Sequence, residues 1–225
     1  MNGGKITGNR GGVSTRGTFT MNDGEISGNT SNSGGSGVYV DNNGTFTMSG
    51  GKITGNSVTK SGYYNSTAYG GGVYVSSNGT FIMEGGEISG NSVSDTGSGN
   101  NNSTAYGGGV YVSSNGTFIM EGGEISGNNA TASNTFSSAS AGGGGVYSRT
   151  FTMNGGIISG NSIYASASDS YYTGAYGGGV CSETFTMNGG ELSGNTAGLG
   201  GGVYVPYPYT GTFTRNGGVI SGNTP

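Results

Sequence analysis

A phenylalanine, an isoleucine and an asparagine recur along this chain at a spacing that never changes. The isoleucine of a GGxI-type motif is Ile6, Ile26, Ile53, Ile88, Ile125, Ile158, Leu192 and Ile220. Seven residues before each of the last seven stands Phe19, Phe46, Phe81, Phe118, Phe151, Phe185 or Phe213. Three residues after all eight stands Asn9, Asn29, Asn56, Asn91, Asn128, Asn161, Asn195 or Asn223. A Gly-Val pair precedes each phenylalanine, giving Val13, Val38, Val73, Val110, Val146, Val180 and Val203. All length variation lies outside the Phe-to-Asn segment: Val to Phe takes 5 to 10 residues, and Asn to the next Val takes 4 to 19. Residues Asn65–Asn91 and Asn102–Asn128 are identical, so one unit is a recent duplicate. A fixed core unit with elastic connections is the signature of a stacked repeat architecture.

The shortest repeat, Gly11–Thr30, has 20 residues and three β-prone runs, GVST, TFTM and GEISGN. That is too short for a propeller blade, and no run has the 3.6-residue period of a helix. Side chains alternate along a strand. In TFTM the Phe and Met therefore share one face and the two Thr the other. Met21, Met48, Met83, Met120, Met153 and Met187 keep the pattern, and Arg215 breaks it. The chain reads as all-β: a right-handed, single-stranded parallel β-helix of about eight coils with three short strands each. Phe, Met, Ile and Val are expected inside as like-on-like columns, with the asparagines as a ladder of side-chain amides.

Composition would otherwise indicate disorder, since 54 of the 225 residues are Gly and only 8% are charged. The regular placement of the apolar residues argues against that. Seven Lys and Arg and a net charge of −4 do not suit nucleic acid. No apolar run is long enough to span a bilayer as a helix. With no His and one Cys, the common zinc and iron ligand sets are absent, and no cofactor is expected. The sequence opens within a coil at Met1 and closes after GNTP, so residues 1–225 read as one repeat domain, a fragment of a longer array, whose uncapped ends could associate end to end.

The motif pair FxxN and GGxI, here Phe19–Asn22 and Gly3–Ile6, resembles that of the chlamydial polymorphic membrane protein repeats. The GGxISGN wording is similar to right-handed β-helix repeats of bacterial surface proteins. The resemblance implies a secreted or cell-surface adhesin or autotransporter-passenger module, extracellular and without a catalytic site, whose partner is a host or cell-surface glycan or protein.

Three features are candidates for function. Four long segments, Ser57–Tyr69, Ser92–Tyr106, Asn129–Ala141 and Ser162–Tyr176, leave the same corner of successive coils and read as loops. They carry Tyr63, Tyr64, Tyr69, Tyr106, Phe136, Tyr164, Tyr171, Tyr172 and Tyr176, aromatic rings amid Ser and Asn as in adaptable binding loops. The plainer reading is a tolerated insertion. Outward threonines form the second feature: Thr18 and Thr20, Thr45 and Thr47, Thr80, Thr117, Thr150 and Thr152, Thr184 and Thr186, Thr212 and Thr214, with Ile82 and Ile119 between. This ladder resembles the ice-binding face of insect antifreeze β-helices, although Thr is also an ordinary strand residue. Third, Glu84, Glu87, Glu121 and Glu124 could hold Ca²⁺ or act on a glycan as a tailspike or pectinase-like β-helix does. Against that, the duplication alone places them together, and the column Lys5, Glu25, Lys52, Glu87 alternates in sign as charge pairing between coils would. An outward column of Tyr39, Tyr74, Tyr111, Tyr147 and Tyr204, interrupted by Ser14 and Cys181, reads as structural stacking.

Overall fold

The computed structural model describes residues 1–62, 66–168, 171–206 and 211–225. Among them there is no helix, and the strands stack in parallel as a β-solenoid. One turn illustrates the path. The chain runs through Val73–Val75, Thr80–Met83, Glu87–Ser89, Ser92–Gly97 and Ser103–Tyr106. It then arrives at Val110, in register on Val73. The isoleucine strands form an eight-stranded sheet in simple chain order. The valine and phenylalanine strands merge into a twelve-stranded sheet. They merge because Val146–Met153 and Val180–Met187 each run through without a turn, where Val and Phe are only five residues apart.

The four long segments are not loops. Ser57–Gly62, Ser92–Gly97, Asn129–Asn134 and Ser162–Ala167 join Thr30–Ser31 in a five-stranded sheet. Ser66–Tyr69, Ser103–Tyr106, Ala139–Gly142 and Thr173–Tyr176 form a four-stranded one. Val58, Ala68, Val93, Ala105, Ala130, Ala132, Ala139, Ala141 and Ile163 make a second buried cluster between them. The physical reason is alternation: in NATASN and STAY every second side chain turns inward against its counterpart, Ala130, Ala132 and Ala105 as small apolar groups and Asn134 and Ser103 as polar ones. The expected three strands per coil thus becomes five, or four where Val and Phe strands fuse. Four turns cross all four sheets, rather than eight uniform coils, and partial turns flank them.

The main core is built of columns. Phe46, Phe81, Phe118, Phe151 and Phe185 are fully or almost fully buried. From Phe19 to Phe213 the rings stack with centroids 4.8–5.1 Å apart and planes within 16°. That distance is the spacing between paired strands, so parallel registry alone sets the stack. The methionines from Met21 to Met187 form a second column in register, which ends on Arg215. Arg215 turns its guanidinium onto the Gly217 and Gly218 carbonyls instead. The GG corners must be tight: Gly86 has φ +85°, and a Cβ there would lie 2.6 Å from Met48 Cε and 2.8 Å from the Gly51 carbonyl oxygen.

The asparagines form the ladder read from the sequence. Asn56 Nδ2 donates to Asn91 Oδ1 and to the Ile26 carbonyl, each at 2.9 Å. Asn56 Oδ1 accepts from the backbone N–H and the Nδ2 of Asn29, at 3.1 and 3.0 Å. All four hydrogen-bonding positions of this buried amide are filled. The same pattern runs from Asn9 to Asn223. Among the described residues no buried side-chain N or O lacks a partner.

Because the phenylalanine column is continuous, Phe118→Ala removes a ring that contacts two others. Denaturant unfolding is expected to show a loss of about 3–5 kcal/mol. An unchanged unfolding midpoint would contradict the shared core.

Candidate functional site

The second lobe changes where the tyrosines lie. Along the valine strands, Ser14, Tyr39, Tyr74, Tyr111, Tyr147, Cys181 and Tyr204 stand in register. Along the inner sheet of the lobe, Tyr69, Tyr106, Gly142 and Tyr176 stand in register. The two columns meet at the junction of lobe and barrel and interdigitate. Each lobe tyrosine, at the end of its turn, packs on the barrel tyrosine two turns on: Tyr69 on Tyr111 at 4.5 Å, Tyr106 on Tyr147 at 4.4 Å and Tyr176 on Tyr204 at 4.6 Å between centroids. Tyr39, Tyr74, Tyr111 and Tyr147 also stack along their own column at 5.0–5.6 Å. These tyrosines are half-buried rather than outward-facing. Tyr69, Tyr106 and Tyr176, expected as contact residues on loops, instead belong to this seam.

Burial governs the chemistry of the seam. It pushes the phenols of Tyr106, Tyr111 and Tyr147 up from their ordinary range, with smaller contributions from neighbouring tyrosines and, at Tyr106 and Tyr147, from Cys181. Cys181, buried in the same column, is pushed up to about 12 by burial first and by Glu183 second. Such a thiol is a packing group, not a nucleophile.

Four other aromatic candidates are free at the surface of the lobe. Tyr172 is 61% exposed, Tyr164 59%, Phe136 55% and Tyr171 46%. Tyr63 and Tyr64 lie outside the described residues. Tyr164 is held on the strand Ser162–Ala167, with Thr131 in register beside it.

The threonines form two columns. Thr18, Thr45, Thr80 and Thr117 are aligned, as are Thr150, Thr184 and Thr212. In the second column Ile82 and Ile119 separate Thr20 and Thr47 from Thr152, Thr186 and Thr214. All twelve threonines are half-buried or exposed.

The four glutamates do not converge as a cation site. Among the described residues no three or more acidic, Cys or His groups are placed to hold a metal ion. Glu84 instead accepts a hydrogen bond from the Ser49 hydroxyl at 2.7 Å, and Glu121 one from Asn154 Nδ2 at 2.9 Å. Glu87 pairs with Lys52 at 2.8 Å, and Glu25 with Lys5 at 2.7 Å. The lysine hydrogen bond, then that of Ser89 or Ser27, holds each of these two carboxyls below its usual range. This is the cross-coil pairing that the alternating column implied.

Gly142 and Ser140 were not legible as part of any site. The signal was present in the alignment of STAY, STAY, ASAG and TGAY, which shows one missing ring. Comparisons with protein-family models, with curated proteins and with solved structures found no match.

The seam fixes a pH dependence. A free tyrosine ionises near pH 10. Because folding raises the phenol pKa at Tyr106, Tyr111 and Tyr147, the unfolded chain loses those protons first. Their contribution is complete below about pH 10 and is lost as pH rises further. In an alkaline titration, part of the phenolate absorbance is expected to appear only together with the loss of the β-sheet circular dichroism. All tyrosines ionising near pH 10 in a folded protein would contradict the buried seam.

Proposed function

We propose that this chain is a non-catalytic structural and adhesive module of an extracellular or bacterial cell-surface protein. A right-handed path belongs to this reading. The observation that carries it is the second lobe. The barrel does not need that lobe, since Val13 follows Asn9 by only four residues while later turns spend 17 to 19 on the same step. The added length is folded into two sheets with their own core; Tyr164 stands exposed on one of their strands, and Phe136, Tyr171 and Tyr172 stand exposed on the connections between the two sheets. Large aromatic side chains on a rigid support lose little entropy on binding, which suits recognition of a surface glycan or protein. Weak single contacts would add up when many copies act together. Among the described residues no helix is long and apolar enough to cross a membrane.

A second reading uses the threonine columns, whose strict registry at strand spacing offers a regular array of hydroxyls and methyls to an ordered water lattice. Thermal hysteresis in the presence of ice would favour it.

The triple variant Tyr164→Ala, Tyr171→Ala, Tyr172→Ala tests the first reading. Surface substitutions of this kind should leave stability within about 0.5 kcal/mol. Attachment of protein-coated beads to cells is expected to fall about tenfold or more, because interface tyrosines often contribute above 1 kcal/mol each. Equal attachment by the variant and the parent would reject adhesion through the lobe.

A further inference from the structure

The tyrosine seam is a series of rungs, each made of one lobe residue and the barrel residue two turns on. The rungs are Tyr69 with Tyr111, Tyr106 with Tyr147, Gly142 with Cys181, and Tyr176 with Tyr204. Three rungs are pairs of rings. In the third, both partners lack a ring. The two absences come from different strands of different turns, yet they fall on the same rung. They leave a groove of about 220 Å³ bordered by Tyr106, Tyr147, Tyr176 and Tyr204, with Cys181 as floor and Tyr172 beside it.

The size and chemistry of the groove limit what enters. The flanking rungs are two strand spacings apart, roughly 9.5 Å. One ring-thick group inserted between them would lie at the 4.5–7 Å separation that aromatic faces prefer. The volume is below the roughly 300–1,000 Å³ of a site for a drug-sized molecule, so it fits one ring of a larger ligand. Around the ring faces are polar groups: the phenol hydroxyls, and the hydroxyl of Ser140 in the lining. A wholly aromatic guest would satisfy the faces and leave those hydroxyls without partners. A pyranose satisfies both, with axial C–H groups against the rings and hydroxyls at its edge. Glu183, the carboxylate acting on Cys181 and Tyr147, is paired with Arg149 at 2.9 Å, and among the described residues no Lys or Arg lines the groove to receive an anion.

We propose that the missing rung at Gly142 and Cys181 is a binding subsite for a single neutral pyranose unit of a glycan. The proposal rests on the adhesive reading above and names its ligand class.

Cys181→Tyr restores the absent ring at a register position where Tyr147 and Tyr204 already stand, so the coil accommodates it. Tyr172→Ala removes the ring at the mouth and, being 61% exposed, does not threaten the fold. Binding of the full chain is measured by calorimetry to neutral oligosaccharides, to the same backbones carrying uronic acids, and to an aromatic tripeptide. Expected are binding of at least one neutral oligosaccharide, about tenfold or more weaker binding by Cys181→Tyr, weaker binding by Tyr172→Ala, and discrimination against the uronates. If Cys181→Tyr fails to fold, Tyr172→Ala decides alone. The subsite is overturned if the variants bind as the parent does, if the tripeptide displaces the sugar, or if no neutral sugar binds. Parallel attachment of the same proteins to cells separates the two ideas. Attachment that survives both variants while their sugar binding equals that of the parent retains the adhesive lobe and rejects the subsite. Sugar binding without any attachment retains the subsite and rejects the adhesive role.

Discussion

The structure depends on one interaction: a buried asparagine side chain that bonds the turn before it to the turn after it. An amide has two donors and two acceptor positions. At Asn56, Asn91, Asn128 and Asn161 all four are used within the ladder and its adjoining backbone. No other side chain of this size could do the same from both directions. Because the ladder lies at the corner just after the isoleucine, it holds the Phe-to-Asn segment at constant length while neighbouring segments vary. The columns of Phe, Met and Ile follow, since fixing one residue per turn in parallel register fixes those nearest to it.

The same constraint explains where the chain is free to grow. Beyond the asparagine, nothing in the barrel sets the length before the next valine. Four turns use that freedom for a second pair of sheets. The lobe inherits its register from the ladder: Ser92, directly after Asn91, lies on Ser57, directly after Asn56. Inserted residues are thereby aligned from turn to turn, and side chains such as Tyr69 and Tyr106 arrive as a column. A gap in that column is a position with defined walls, unlike a gap in a mobile loop.

The barrel was legible because its large apolar residues recur at a fixed interval and leave few alternatives. The ladder and the cross-coil pairing of Lys52 with Glu87 followed from the same alignment. The lobe was not legible. Its inward residues mix small apolar side chains such as Val93, Ala105 and Ala130 with the polar Asp95, Ser103 and Asn134, which gives little contrast between faces, so SVSDTG and NATASN look like solvated linkers. With the lobe unseen, Tyr74, Tyr111 and Tyr147 read as outward, and the pairing of Tyr106 with Tyr147 had no basis. The glutamates read as a cluster because the duplication places them close in register, whereas Ser49, Asn154 and Lys52 supply partners to three of them.

The ladder, more than local strand preference, holds successive turns together. This is tested most directly by comparing Asn128→Ala with Asn9→Ala in equilibrium unfolding. Asn128 is fully buried; its Oδ1 accepts from the Asn91 backbone N–H and Nδ2, and its Nδ2 donates to Asn161 and Ile88. Removing it strands several buried polar groups, each costing about 1–3 kcal/mol. Asn9 is exposed and stands at one end of the ladder. A loss of about 3 kcal/mol or more is expected for Asn128→Ala and under about 1 kcal/mol for Asn9→Ala. Equal and small losses at both positions would contradict it.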